Sequence, residues 1–419
     1  MIESRLPHRG ALAALSLTAV TALTVLVALL LSLYAPATAH VAAGLTLTGP
    51  AIGPDENPLD AIRDVLARQS DALLRGDRDG YLRAIPVERQ ELREQAGRRF
   101  DSLTALHVKR WTLTATSMPE RRADGWRQPV GVAYCFGADD CTTVDLRVDT
   151  TWSVARGRLQ LIAYEQTTRP WDTTTLTAKA GARVTVAGPA DGEQVSPATL
   201  DLVLNAAEAA TRTDDRFATS FDGPPQRYFV YVAGDAQWQR WYDGSTRSYS
   251  AAYAMPLQPG ATDVVLNVRD VRSDAGVTML LTHEFAHVVT LGGTVPPAQA
   301  FWLTEGIAEY IADGDGSAMR QDLPAVRGYV AAGRWDGSVT PARPGKDASL
   351  DDATALYGIA LLTVRYLAQR YGEPKLLAYF TEVVRRRQPL DAASRSVFGA
   401  DWQSVSKDAA ASIRAAATA

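Results

Sequence analysis

The chain has only two cysteines, Cys135 and Cys141, in 419 residues. A cysteine-based zinc site would need two further ligands nearby, and none stand there. The pair brackets the polar turn Phe-Gly-Ala-Asp-Asp between two apolar, strand-like segments. In an oxidising compartment it is expected to form one disulfide that pins a hairpin. Excess positive charge is missing too. The net charge is −4, lysine is scarce and the arginines are interspersed with acids. That excludes the basic patch a nucleic-acid partner requires. Histidine is equally sparse. There are five, His8, His40, His107, His283 and His287, and the last two lie four residues apart.

One run is long and uncharged. Arg5 and Arg9 precede Ala11–Ala39, whose most apolar part is Ala19–Leu33, and the run closes on Ala37-Thr38-Ala39. Basic residues, an apolar stretch and a small-x-small end predict a secretory signal over 1–39. The stretch is also long enough to remain as a single membrane anchor. Either way the body of the protein is expected outside the cytoplasmic membrane, secreted or anchored, and the membrane is a partner only if the segment is uncleaved. No cysteine follows the run, so a lipid anchor at this point is not expected.

Length allows two or three domains. Residues 40–57 read as a tether. From Pro58 a helical period appears (Leu59, Ile62, Val65, Leu66, Leu73, Leu74), then a short second helix from Tyr81 and a third, charged helix over Val87–Leu103. Alternation follows at 108–116, 130–136, 142–154 and 158–166, giving an α+β domain over 58–170 with helices on an antiparallel sheet. Its element order and the phrase ALLRGDRDGYL resemble the nuclear-transport-factor-2-like superfamily. His107 reads as a solvated or structural side chain. Residues 171–197 read as a linker enclosing one strand, 183–187. From 198 to 415 the pattern predicts a mainly helical domain with a small sheet, its strands at 227–234, 248–257 and 263–271.

The third of those strands leads into THEFAHVV. On a helix, His283 and His287 share one face one turn apart, so both imidazoles can reach one metal ion. Glu284 between them is then placed to act as a general base. Ser273 or Asp274 is expected to cap this helix and Gly292-Gly293 to end it. A third ligand is required. Position 293, where a histidine would be expected in the metzincin pattern, is glycine.

Farther along stands FWLTEGIAEYIA. With HEFAH it resembles the paired signature of the gluzincins, the thermolysin-like zinc peptidases. The resemblance implies that Glu305 is the third ligand of one Zn²⁺ per chain and that Glu309 hydrogen-bonds a liganding histidine. ALYGIALLTVRYLAQRYG and LDAASRSVFGADWQSVSKD resemble the helical tail of the bacterial peptidase-MA-like family, placing Tyr357 where a phenol could serve as a catalytic oxyanion partner. AAYAMPL lacks the glutamate of the aminopeptidase Gly-x-Met-Glu-Asn segment, so an endopeptidase acting on peptide or protein substrates is expected. The competing expectation is a zinc-binding, non-catalytic interaction module at the cell surface.

Overall fold

Pro58 precedes a run of good helix formers whose apolar residues recur at 3.6-residue spacing, and the structure, a computed structural model, places α1 at Leu59–Leu74. The structure describes residues 50–52, 57–244, 249–314 and 316–419. Thr48–Ala419 form one compact unit. The expected signal or anchor segment, 1–39, and most of the 40–57 tether lie outside the described residues. No helix among the described residues is long and apolar enough to cross a membrane.

A short helix, α2 (Arg78–Leu82), and a longer one, α3 (Gln90–Ala105), follow α1. They cover an antiparallel sheet of β1 (Val108–Ala115), β2 (Glu120–Arg122), β3 (Gly125–Phe136), β4 (Val144–Ala155) and β5 (Arg158–Tyr164), ordered β1-β3-β4-β5 with β2 on β3. The helix-plus-antiparallel-sheet arrangement expected for this part is present. The Cys135–Cys141 disulfide closes the β3–β4 connection as expected. His107 is exposed, and its carbonyl accepts from the Gly137 amide at 3.0 Å.

Residues 171–197 are not a linker. After α4 (Pro170–Thr173) they supply β6 (Leu176–Ala180) and β7 (Val184–Pro189), two strands where one was expected. With β8 (Tyr228–Ala233), β9 (Ala252–Gln258) and β10 (Ala261–Asn267) these form a mixed sheet, ordered β6-β7-β8-β10-β9. β7, β8 and β10 run parallel; β6 and β9 are antiparallel edges. The physical reason is long-range. Trp171 and Asp172 are buried, and Asp172 receives a 2.7 Å hydrogen bond from buried Arg99 on α3. A segment carrying an indole and a paired buried charge cannot be a solvated tether.

The second sheet is buried on both faces. Tyr231, Ala233 and Val265 join the core of the first sheet and its helices. Val230, Val232, Val264 and Leu266 face two helices, α5 (Pro197–Ala218) and α7 (Asp274–Leu291), with the short α6 (Asp235–Arg240) between β8 and β9. α8 (Phe301–Ala312), α9 (Ser317–Ala331), α10 (Leu350–Tyr371), α11 (Glu373–Phe380), α12 (Leu390–Phe398) and α13 (Trp402–Thr418) complete a helical region. The fold is therefore α+β, with a sheet domain and a helical part, as expected in outline.

Candidate metal centre

α7 is capped as its sequence dictates. Ser273 Oγ accepts from the Gly276 amide at 3.3 Å, and Gly292, at φ +57°, takes the left-handed position that ends the helix. Val277, Leu281, Phe285 and Val289 anchor it against the second sheet. This apolar seat fixes where His283 and His287 emerge. α8 crosses nearby and is buried almost throughout. Gly306 lets it approach α10 closely, because a Cβ there would lie 2.7 Å from the Ala360 carbonyl oxygen. That contact seats Glu305 beside the histidines.

The three expected ligands converge. His283 Nε2 and His287 Nε2 are 3.2 Å apart, and Glu305 Oε2 lies 3.4 Å and 3.2 Å from them respectively. Two donors on a tetrahedral ion with bonds of about 2.0–2.1 Å stand about 3.3–3.4 Å apart, so the triangle has the dimensions of one ion's ligand set. Among the described residues this is the one His/Cys/Asp/Glu group that could hold a metal ion. Glu309 Oε1 lies 3.2 Å from His283 Nδ1, leaving Nε2 to face the triangle. His287 Nδ1 is buried without a hydrogen-bond partner.

Electrostatics point the same way. Burial, the largest influence on His283, disfavours its charged form, yet Glu309 and Glu305 outweigh it and hold its proton affinity well above the usual range. Burial likewise works against a charged Glu305, but the two imidazoles pull its carboxyl far below the usual range. The pocket thus demands positive charge, which a divalent cation would supply more compactly than protons. Glu284 is buried, and burial pushes its carboxyl up despite the adjoining imidazoles, toward the range where a carboxylate works as a base.

These side chains open on a cavity of about 420 Å³. Tyr357, on α10, lines it with its ring 6.5 Å from that of His283 and edge-on to Phe301 at 5.4 Å. Burial raises its phenol well above the usual range, so it stays a donor. Two lining groups were missed from sequence. The Arg343 guanidinium lies 3.7 Å from Glu305 Oε1 and over the Phe301 ring, and Asp322 enters from α9. Burial first, then Glu309 and Asp313, push the Asp322 carboxyl up to about 7. Neither residue has a periodic relation to the motifs, so no spacing signal could have found them. No family model and no curated protein matches the chain.

Proposed function

We propose that the chain is a zinc-dependent endopeptidase of gluzincin type, acting outside the cytoplasmic membrane. The observation carrying this reading is the His283–His287–Glu305 triangle with a buried glutamate, Glu284, in the same cavity. A site serving structure alone has no use for an acid whose proton affinity is tuned upward next to the ligands. The two-nitrogen, one-carboxylate donor set suits zinc with an open position.

Bound in the triangle, zinc would supply Lewis acidity toward a peptide carbonyl. Glu284 takes a proton from the attacking water and delivers it to the leaving amine. Glu309 holds the His283 tautomer. Tyr357 donates toward the carbonyl oxygen as charge builds on it. β9, an edge strand whose residues Ala252–Ala254 line the cavity, offers backbone groups to an extended substrate. The Cys135–Cys141 disulfide accords with an oxidising compartment.

The test combines metal analysis of the purified chain with cleavage of a peptide library, with and without chelator. About one zinc per chain and chelator-sensitive cleavage are expected. Glu284→Gln should retain zinc and lose about 10²- to 10⁴-fold in turnover. Zinc without cleavage, or a Glu284→Gln variant as fast as the parent, defeats the proposal.

A further inference from the structure

A second cavity, of about 300 Å³, lies between the disulfide-closed β3–β4 connection, the loop before β8 and the C-terminal end of α7. Its walls are mostly apolar: Phe136, Val144, Phe229, Leu257, Val288 and Val289. The walls are also well tied. The disulfide holds one side, and on another the Gly260 amide donates to the Gly292 carbonyl at 2.9 Å. Arg385 secures the α7 end, its Nε donating to the Thr290 carbonyl at 2.6 Å.

Two buried polar groups interrupt this apolar lining. Tyr134 is 1 % exposed, and its hydroxyl has the Trp171 indole beside it but makes no well-formed hydrogen bond. Asp263, on β10, is 6 % exposed and receives a hydrogen bond from the Tyr242 hydroxyl. Burial pushes its carboxyl up to about 6, with the Tyr242 bond and Arg169 pulling the other way, so it is largely ionised at neutral pH. The other charged groups on the lining are already engaged. Arg227 donates to the carbonyls of Gly181, Ala182 and Val184, and Asp222 accepts from Arg385. Buried hydroxyls and carboxylates in native proteins are satisfied, by protein, water or ligand. An apolar chamber with a poorly bonded hydroxyl and a buried carboxylate at its wall has the make-up of a small-molecule site.

We infer that this second cavity binds a small apolar amine, its ring or chain against Phe136, Phe229 and Val288 and its ammonium group at Asp263 and the Tyr134 hydroxyl. The inference does not rest on the metal centre or on the peptidase reading. Arg227 is spent on backbone carbonyls, so the buried acid Asp263 is the group that selects a cation. An apolar body displaces weakly held water from the walls. The volume accommodates a single ring with a short side chain.

The experiment titrates the full chain with 2-phenylethylamine, followed by saturation-transfer NMR and calorimetry, with phenylacetate as the matched anion. Saturable binding of the amine in the millimolar range or tighter is expected, with no binding of phenylacetate. Asp263→Asn should weaken the amine at least about tenfold. Thr142→Trp, at an exposed lining position, should block it. That variant also separates this cavity from the acidic metal-centre cavity, which it leaves intact. Absence of saturable binding, equal binding of phenylacetate, or binding that survives Thr142→Trp overturns the inference.

Discussion

In the metal-centre cavity, Glu305 and Glu309 each face an imidazole nitrogen within 3.4 Å, and Glu305 is held ionised far below the usual carboxylate range. In the second cavity, Asp263 faces a tyrosine hydroxyl and is pushed the other way, up to about 6. Both sites bury acids, but only the first surrounds them with nitrogen ligands. The difference follows from their scaffolds. Helices α7 and α8 repeat side chains on one face every three or four residues, so base and acid can be matched within two short motifs. The second cavity is assembled from strands and loops distant in sequence. There the Asp263 carboxylate has one hydroxyl donor, Tyr242, and the pull of Arg169, which together fall short of its burial cost and leave it open to a further partner.

The largest break in this comparison is at a ligand. His287→Ala should remove metal binding from the first cavity. Sharing roughly 10–16 kcal/mol of site energy over the three protein ligands, the loss is about 3–5 kcal/mol, a drop in zinc affinity of several-hundredfold or more by competition with a chelating dye. Affinity within about threefold of the parent would dismiss His287 as a ligand. Amine binding at the second cavity should be untouched.

The next break is at Asp263. Its folded-state proton affinity is raised from the ordinary 3.8 to about 6, so the folded chain holds this proton more tightly than the unfolded one. The stabilisation from that proton is therefore complete below about pH 4 and disappears as pH rises through about 6. By pH 7 the ionised, buried group costs about 3 kcal/mol. Asp263→Asn, which retains an acceptor for Tyr242, should be about 2–3 kcal/mol more stable than the parent at pH 7 and close to it at pH 4 by urea unfolding. An identical difference at both pH values would sink this account.

The two cavities also differ in how far the sequence announces them. HEFAH and EGIAE sit on regular helices, where spacing puts His283 with His287 and Glu305 with Glu309 on shared faces, and the resemblance to the gluzincin pair of motifs joined the two. The first sheet was legible for a similar reason, since β1 alternates buried and exposed residues over Trp111–Ala115. β7 is buried at every position, so its alternation is lost. Its neighbour β6 hides in a Thr- and Ala-rich stretch whose partners, Arg99 and Ser102, lie more than 70 residues upstream. That is why 171–197 read as a linker. Tyr134 and Asp263 belong to different sheets, and Arg343 and Asp322 reach the metal centre from a loop and a separate helix. Such meetings are products of tertiary packing and leave no local period.

The smallest expected effect is the most discriminating, because it concerns the pairing that separates one cavity from the other. Glu309 does two opposed things to His283. It fixes the ring with Nε2 toward the triangle, which aids a metal, and it strengthens proton binding, which competes with a metal. Glu309→Gln should weaken zinc about 10- to 100-fold at neutral pH, about 1.4–2.8 kcal/mol, because loss of a group supporting a liganding histidine typically costs that much. As pH falls the parent must shed a tightly held proton from His283 to accept the ion, whereas the variant sheds a weaker one. The gap between them should therefore narrow with acidification, and proton release on zinc uptake, from calorimetry in two buffers of different ionisation enthalpy, should be smaller in the variant. A gap that stays constant with pH would mean that Glu309 only positions the ring and that the field of the acids has no part in the site's demand for a cation.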